Sequence, residues 1–162
     1  MAFHLQTLFL LCGLAGLWTG AWSKAVEKVK GNGCPKDWTR LECNCYIYQD
    51  EARNFADAES VCNILGGNLV SIHNALENFF IHQLILADDS PNDAWIGLHN
   101  AINEDDDFIW TDGTLEDFRA FTGSEPDDTG NCIQINQSDG CWEDMLCTDE
   151  FPYVCIRETS VW

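Results

Sequence analysis

Glu125-Pro126-Asp127, followed by Cys132 and then by Cys141-Trp142-Glu143-Asp144-Met145-Leu146-Cys147, decides how this chain is read. Two short segments carry five acidic side chains, Glu125, Asp127, Asp128, Glu143 and Asp144. Oxygen donors at that density suit a hard cation such as Ca2+, which gathers roughly six to eight oxygens. The proline between two carboxylates matters as well, because X-Pro is the peptide bond that readily turns cis. A cis turn at Pro126 is expected to point Glu125 and Asp127 toward one ion.

Outward from that stretch, the first 23 residues stand apart. Leu8 to Leu11, Leu14, Leu17 and Trp18 form an apolar run of signal-peptide length with no Lys, Arg, Asp or Glu in it, and Ala21-Trp22-Ser23 offers small residues for cleavage. The run is shorter than the ~20 apolar residues a membrane span needs, and Gly13, Gly16 and Gly20 break it. The expectation is therefore a leader over 1–23, a short polar lead-in over 24–33, and one folded domain over 34–158 in a secreted, extracellular protein. Losing the leader removes Cys12, so nine cysteines become eight, an even number that reads as a disulfide framework. With no CxxC pair and no Cys/His ligand spacing, structural zinc is not expected.

The formal net charge is −19 and falls outside the leader. The stretch from Asn54 to Phe118 holds thirteen Asp or Glu and no Lys or Arg. Such a surface repels nucleic acid and anionic membrane and attracts divalent cations or cationic partners. Plain solubility is the alternative reading of the same charge.

Cys34-Pro35 opens the folded part, and Tyr46-Ile47-Tyr48 reads as a strand. Asp50 to Leu65 carries Phe55, Ala58, Val61, Cys62 and Leu65 at helical spacing, with Gly66-Gly67 as the stop. Leu69 to Ile72 is a brief buried strand. Asn74-Ala75-Leu76-Glu77 forms a capping box and launches a second helix through Phe79, Phe80, Leu84 and Ile85, which Asp88-Asp89-Ser90-Pro91 ends. Trp95-Ile96-Gly97-Leu98, Phe108-Ile109-Trp110, Ile133-Gln134-Ile135, Trp142 and Tyr153-Val154-Cys155-Ile156 supply short strands between long loops. The class is α+β, with irregular backbone that needs cystines or metal to hold it.

At this point a family comes into view. Cys34-Pro35-x-x-Trp38 with Cys45-Tyr46, Trp95-Ile96-Gly97-Leu98, Phe108-x-Trp110-x-Asp112-Gly113, Glu125-Pro126-Asp127, Trp142-Glu143-Asp144-x-x-Cys147 and Tyr153-Val154-Cys155 resemble, in order, the motifs of the C-type lectin domain. The resemblance covers Cys34 to Arg157, and the layout is most similar to small soluble fish lectins, including ladderlectin-like proteins and type II antifreeze proteins. It implies two helices packed on short antiparallel sheets beside a long calcium-binding loop region. It also implies the cystines Cys34–Cys45, Cys62–Cys155 and Cys132–Cys147. Cys43 and Cys141 are left over, lie at opposite ends of the implied fold, and point to a disulfide-linked homodimer or a capped thiol.

The resemblance carries Glu125, Asp127, Glu143 and Asp144 over as calcium ligands, and Glu125, Asp127, Asn131 and Glu143 as contacts for a bound glycan. In sugar-binding members Glu-Pro-Asn implies mannose-type and Gln-Pro-Asp galactose-type ligands. This chain mixes the two, and Trp-Asn-Asp has become Trp142-Glu143-Asp144. Both amides are replaced by carboxylates, which accept hydrogen bonds but donate none. Asn131 is the remaining amide near the site. Four clustered carboxylates repel one another and raise each other's pKa, so the ion-free loop is expected to be mobile and acid-sensitive. A merely solvated acidic surface is the competing reading.

Glu104-Asp105-Asp106-Asp107 reads as a solvated turn or a second ion site. Asn136-Gln137-Ser138 is an acceptor sequon for N-glycosylation. Trp95, Trp110 and Trp142 read as core, and His73, His82 and His99 share no ligand spacing. No nucleophile elbow accompanies them, so no enzyme is expected. Two functions remain: a calcium-dependent carbohydrate-binding protein recognising microbial or mucosal glycans in innate defence, or a module of the same fold that has lost sugar binding and binds a protein, mineral or ice surface.

Overall fold

The opening hairpin is built around aromatic and β-branched side chains that prefer a pleated, half-buried surface. β1 (Thr39–Leu41) turns at Glu42 and pairs antiparallel with β2 (Asn44–Arg53). The computed structural model describes residues 33–100 and 107–159. The leader, the lead-in up to residue 32, and Glu104 to Asp106 of the acidic run lie outside the described residues, while Asp107 is exposed.

Helix α1 (Phe55–Ile64) is shorter than the expected span from Asp50. Residues 50–53 stay in β2, where Arg53 pairs with Phe151, and Asn54 then caps the helix by accepting the Asp57 N–H at 3.0 Å. Phe55, Ala58 and Cys62 are its buried residues. After Gly66-Gly67 comes β3 (Asn68–Leu69), shorter than the predicted four residues, although Val70, Ser71 and Ile72 are buried as well. Gly67 is required by packing: a Cβ there would lie 1.9 Å from the Ile156 carbonyl oxygen.

Helix α2 (Ala75–Leu86) starts at Asn74, whose Oδ1 accepts the N–H groups of Leu76 and Glu77. Glu77 completes the cap by accepting the N–H of His73, one residue before the cap. Its buried residues are Ile81 and Ile85, while Phe79 is 60 % exposed. The helix is apolar on nearly every side, so periodicity alone does not select the inward face.

β4 (Ala94–Asn100), β5 (Phe108–Trp110), β6 (Cys132–Ile135), β7 (Trp142–Met145) and β8 (Phe151–Glu158) complete the described elements. Their hydrogen bonds run through one sheet in the order β1-β2-β8-β4-β6-β7, with β3 on β8 and β5 on β4. Described pairs are antiparallel except β4 with β8, joined in parallel at Trp95 and Tyr153. On β6, Ile133 and Ile135 enter the core with Ile81, Ile85, Trp110 and Trp142, while Cys132 enters a second cluster with Phe55, Cys62 and Trp95. Trp95, Trp110 and Trp142 are core residues, with exposures of 0 %, 1 % and 0 %. Cys34–Cys45, Cys62–Cys155 and Cys132–Cys147 are bonded, and Cys43 and Cys141 are free.

Candidate metal centre

β7 divides the acidic pair that the sequence places side by side. Successive side chains of a strand point to opposite faces, and the burial along β7 alternates accordingly: Trp142 and Asp144 are buried, Glu143 and Met145 half-buried. Asp144 is 2 % exposed and turns toward the loop that follows Pro126. Its Oδ1 accepts the Asp127 N–H at 2.7 Å and its Oδ2 the Gly130 N–H at 2.8 Å. Thr129 adds two bonds to the clamp, its hydroxyl donating to the Asp144 carbonyl at 3.0 Å and its N–H to Asp127 Oδ1 at 3.1 Å. Gly130 is needed here, because a Cβ would lie 1.9 Å from the Met145 carbonyl oxygen.

The Glu125–Pro126 bond is cis. Carboxylate oxygens of Glu125, Asp127 and Asp144 lie within 4.8 Å of one another. This donor set fits a hard divalent cation: three carboxylates supply oxygen alone, and each carboxylate keeps lone pairs beyond the N–H groups it accepts. Asp144 would be the fixed, buried ligand, with Glu125 half-buried and Asp127 exposed at the rim.

Glu143 lies outside that cluster. Its Oε2 accepts from Gln134 Nε2 and its Oε1 from Asn136 Nδ2, both at 3.1 Å, across the β6–β7 pair. Asp128 is exposed at the turn with a φ of 65° and does not join the cluster. Asn131 is exposed, and its carbonyl accepts the Asn100 N–H at 2.8 Å. The sequence reading missed the two amides that engage Glu143 and the backbone donors of Asp127 and Gly130. The period-two rule applied to Glu143-Asp144 was the signal that separates them.

The Glu125 carboxyl is raised above its usual range, first by burial, then by its hydrogen bond to Asp144 and by the charges of Asp127, Asp144 and Glu143. A carboxyl raised on folding contributes stability at low pH that is lost as pH climbs through its titration. For Glu125 alone, that contribution runs opposite to the acid sensitivity expected from sequence.

With this geometry in hand, known proteins give a consistent match. The lectin C-type domain model covers residues 51–157. The chain is 31 % identical over 154 residues to the galactose-specific lectin nattectin of Thalassophryne nattereri, covering 93 % of this chain and 92 % of that protein. Human lithostathine superposes with a TM-score of 0.73 at 27 % identity, over 77 % of this chain and 99 % of that one. A calcium-independent type II antifreeze protein superposes with a TM-score of 0.71 at 29 % identity, over 78 % of this chain and 95 % of that one. The motif order, the three cystines, the two helices on the sheet and these matches agree: this chain belongs to the C-type lectin domain family.

Proposed function

We propose that this chain is a secreted, calcium-dependent carbohydrate-binding protein that recognises microbial or mucosal glycans in innate defence. Like its lectin relatives it is a binding protein and not an enzyme. The observation that carries the reading is the convergence of Glu125, Asp127 and Asp144 within 4.8 Å. Bound calcium would supply a Lewis-acidic centre for sugar hydroxyls; Asp144 holds the loop in place through Asp127 and Gly130, and Glu125 and Asp127 accept hydrogen bonds from the hydroxyls at the rim. Asn131 is the amide donor in this reading, and Glu143 joins as a ligand or sugar contact by releasing Gln134 and Asn136. Galactose is the first sugar to test, since nattectin is galactose-specific and Asp127 follows Pro126 as in the galactose-type motif.

The test is calorimetric titration with CaCl2, then with galactose and mannose in saturating calcium. Heat from calcium and then from sugar is the expected result. Absence of calcium heat would sink the ion site. Calcium heat without sugar heat would favour a second reading, a module for a protein, mineral or ice surface. One observation supports that second reading: Asp127 and Glu143 are acceptors only, and both Glu143 oxygens are already engaged. The pair Asp127→Asn with Glu143→Asn returns two amide donors, and each unpaired polar group it corrects is worth ~1–3 kcal/mol. Retention on a mannose column should rise in that variant; an unchanged profile would count against donor loss as the reason for weak sugar binding.

A disulfide-linked homodimer and a glycan on Asn136 belong to the same proposal. Cys43 is exposed at the β1–β2 turn, whereas Cys141 is half-buried and its thiol is raised by burial and by Asp139. The thiolate is the reacting species, so Cys43 is the better candidate for an interchain bond. Cys43→Ser should remove the dimer band on non-reducing gels and Cys141→Ser should leave it; the opposite pattern would assign the bond to Cys141. Asn136 Oδ1 accepts from Ser138 N–H and Oγ, so the sequon lies on a tight turn. Among the described residues no helix is long and apolar enough to cross a membrane.

A further inference from the structure

Helix α2 presents a second apolar surface that the calcium site does not use. Ile81 and Ile85 face the core, yet Leu76 and Phe79 are each 60 % exposed and Leu86 is 39 % exposed. With the exposed Gln83, these positions are spaced three, four and three residues apart along the helix. That is the spacing of a seam that packs against another helix, with Leu, Phe and Leu at three of its four positions. An outward apolar seam on a helix already packed on its other side calls for a partner.

The charge around the seam decides what kind of partner. α2 contains no Lys or Arg and has no basic residue in its last turn. The C-terminal end of a helix carries partial negative charge and favours cations, yet here Asp88 and Asp89 follow directly. Asp50 and Asp93 share that corner with Asp88: the Tyr48 phenol is raised by burial and then by the charges of Asp88, Asp50 and Asp93. A second copy would bring the same acidic corner and a net charge of −19 against it, and an anionic lipid surface would be repelled. A positively charged helix satisfies both the seam and the corner.

We propose that the outer face of α2 is a docking site for a cationic amphipathic helix, whose apolar stripe covers Leu76, Phe79 and Leu86 and whose basic residues meet the carboxylates at the end of α2. The probe is a synthetic Leu/Lys peptide of roughly 18 residues, long enough to form a helix when bound, with Leu at the seam positions. A peptide of identical composition in scrambled order is the control. Fluorescence anisotropy against the full chain at about 0.15 M salt should give saturable binding of the first peptide only. Leu76→Ser with Phe79→Ser should weaken it by about tenfold or more while the circular dichroism stays unchanged, because both side chains are exposed. Asp88→Asn with Asp89→Asn should weaken it too and flatten its salt dependence. Equal binding of the scrambled peptide, or of the Ser variant, would reduce the effect to bulk charge attraction and overturn the proposal, as would no binding. Sedimentation of the Cys43→Ser chain is the remaining arm: self-association that the Ser pair abolishes would give the face to a second copy and overturn the proposal equally.

Discussion

Asp144→Ala is expected to abolish the calcium-dependent rise in melting temperature and to destabilise the calcium-free protein as well. The two effects come from the same carboxylate. Asp144 is buried, and its oxygens accept the N–H groups of Asp127 and Gly130, so truncation leaves two backbone donors without their partner. Each such loss is worth ~1–3 kcal/mol. Truncation also removes the fixed member of the Glu125–Asp127–Asp144 cluster and frees the loop that carries the other two. Asp144→Asn separates the contributions, since the amide keeps one acceptor for the loop but lowers the charge available to a cation. Melting curves with and without CaCl2 decide the matter. A calcium shift that survives in Asp144→Ala would place the ion elsewhere.

Removing the Cys62–Cys155 bond should give the largest loss of stability of the three cystines. It links α1 to β8 across 93 residues of sequence, against 15 for Cys132–Cys147 and 11 for Cys34–Cys45. In the chain-entropy account the stabilisation grows with the closed loop, to ~3 kcal/mol near 15 residues and more than 4 kcal/mol near 100. The double variant Cys62→Ala with Cys155→Ala should therefore lose ~4 kcal/mol or more and fall by roughly 10–20 °C in melting temperature. Both sulfur positions are fully buried, so lost packing adds to the entropic term. Urea denaturation of the three double variants tests the order. Equal losses in all three would show that loop length does not govern their contributions.

Much of this architecture was legible from local chemistry. The spacing of Phe55, Ala58 and Cys62 gave the inward face of α1, and Asn74 gave the start of α2. Those features depend on residues a few positions apart, where period and capping rules act. The reading failed where a choice depends on distant partners. β2 runs on to Arg53 because Phe151 pairs with it, and nothing within residues 50–54 announces that. On α2, Ile81 and Ile85 take the core side of a helix that is apolar on nearly every side, and that choice is not announced by its period. At the candidate site, Glu125, Asp127 and Asp144 lie together in space, whereas Glu143, carried over with them by the family resemblance, is turned to other partners. Its place is decided by Gln134 and Asn136, one strand away.

The sheet order places β8, the last of the described strands, between β2 and β4 in the middle of the sheet. Before β8 is made, the early hairpin and the β4–β6–β7 half share no strand ladder and are linked by isolated bonds such as Trp95 Nε1 to the Arg53 carbonyl. Each half keeps a bare inner edge until residues 151–158 are made, and such edges recruit other chains. Residues 151–158 thus weld the two halves, so a chain stalled in synthesis before Phe151 is the species most exposed to aggregation, and the time it waits is set by translation rather than by the stability of the finished fold.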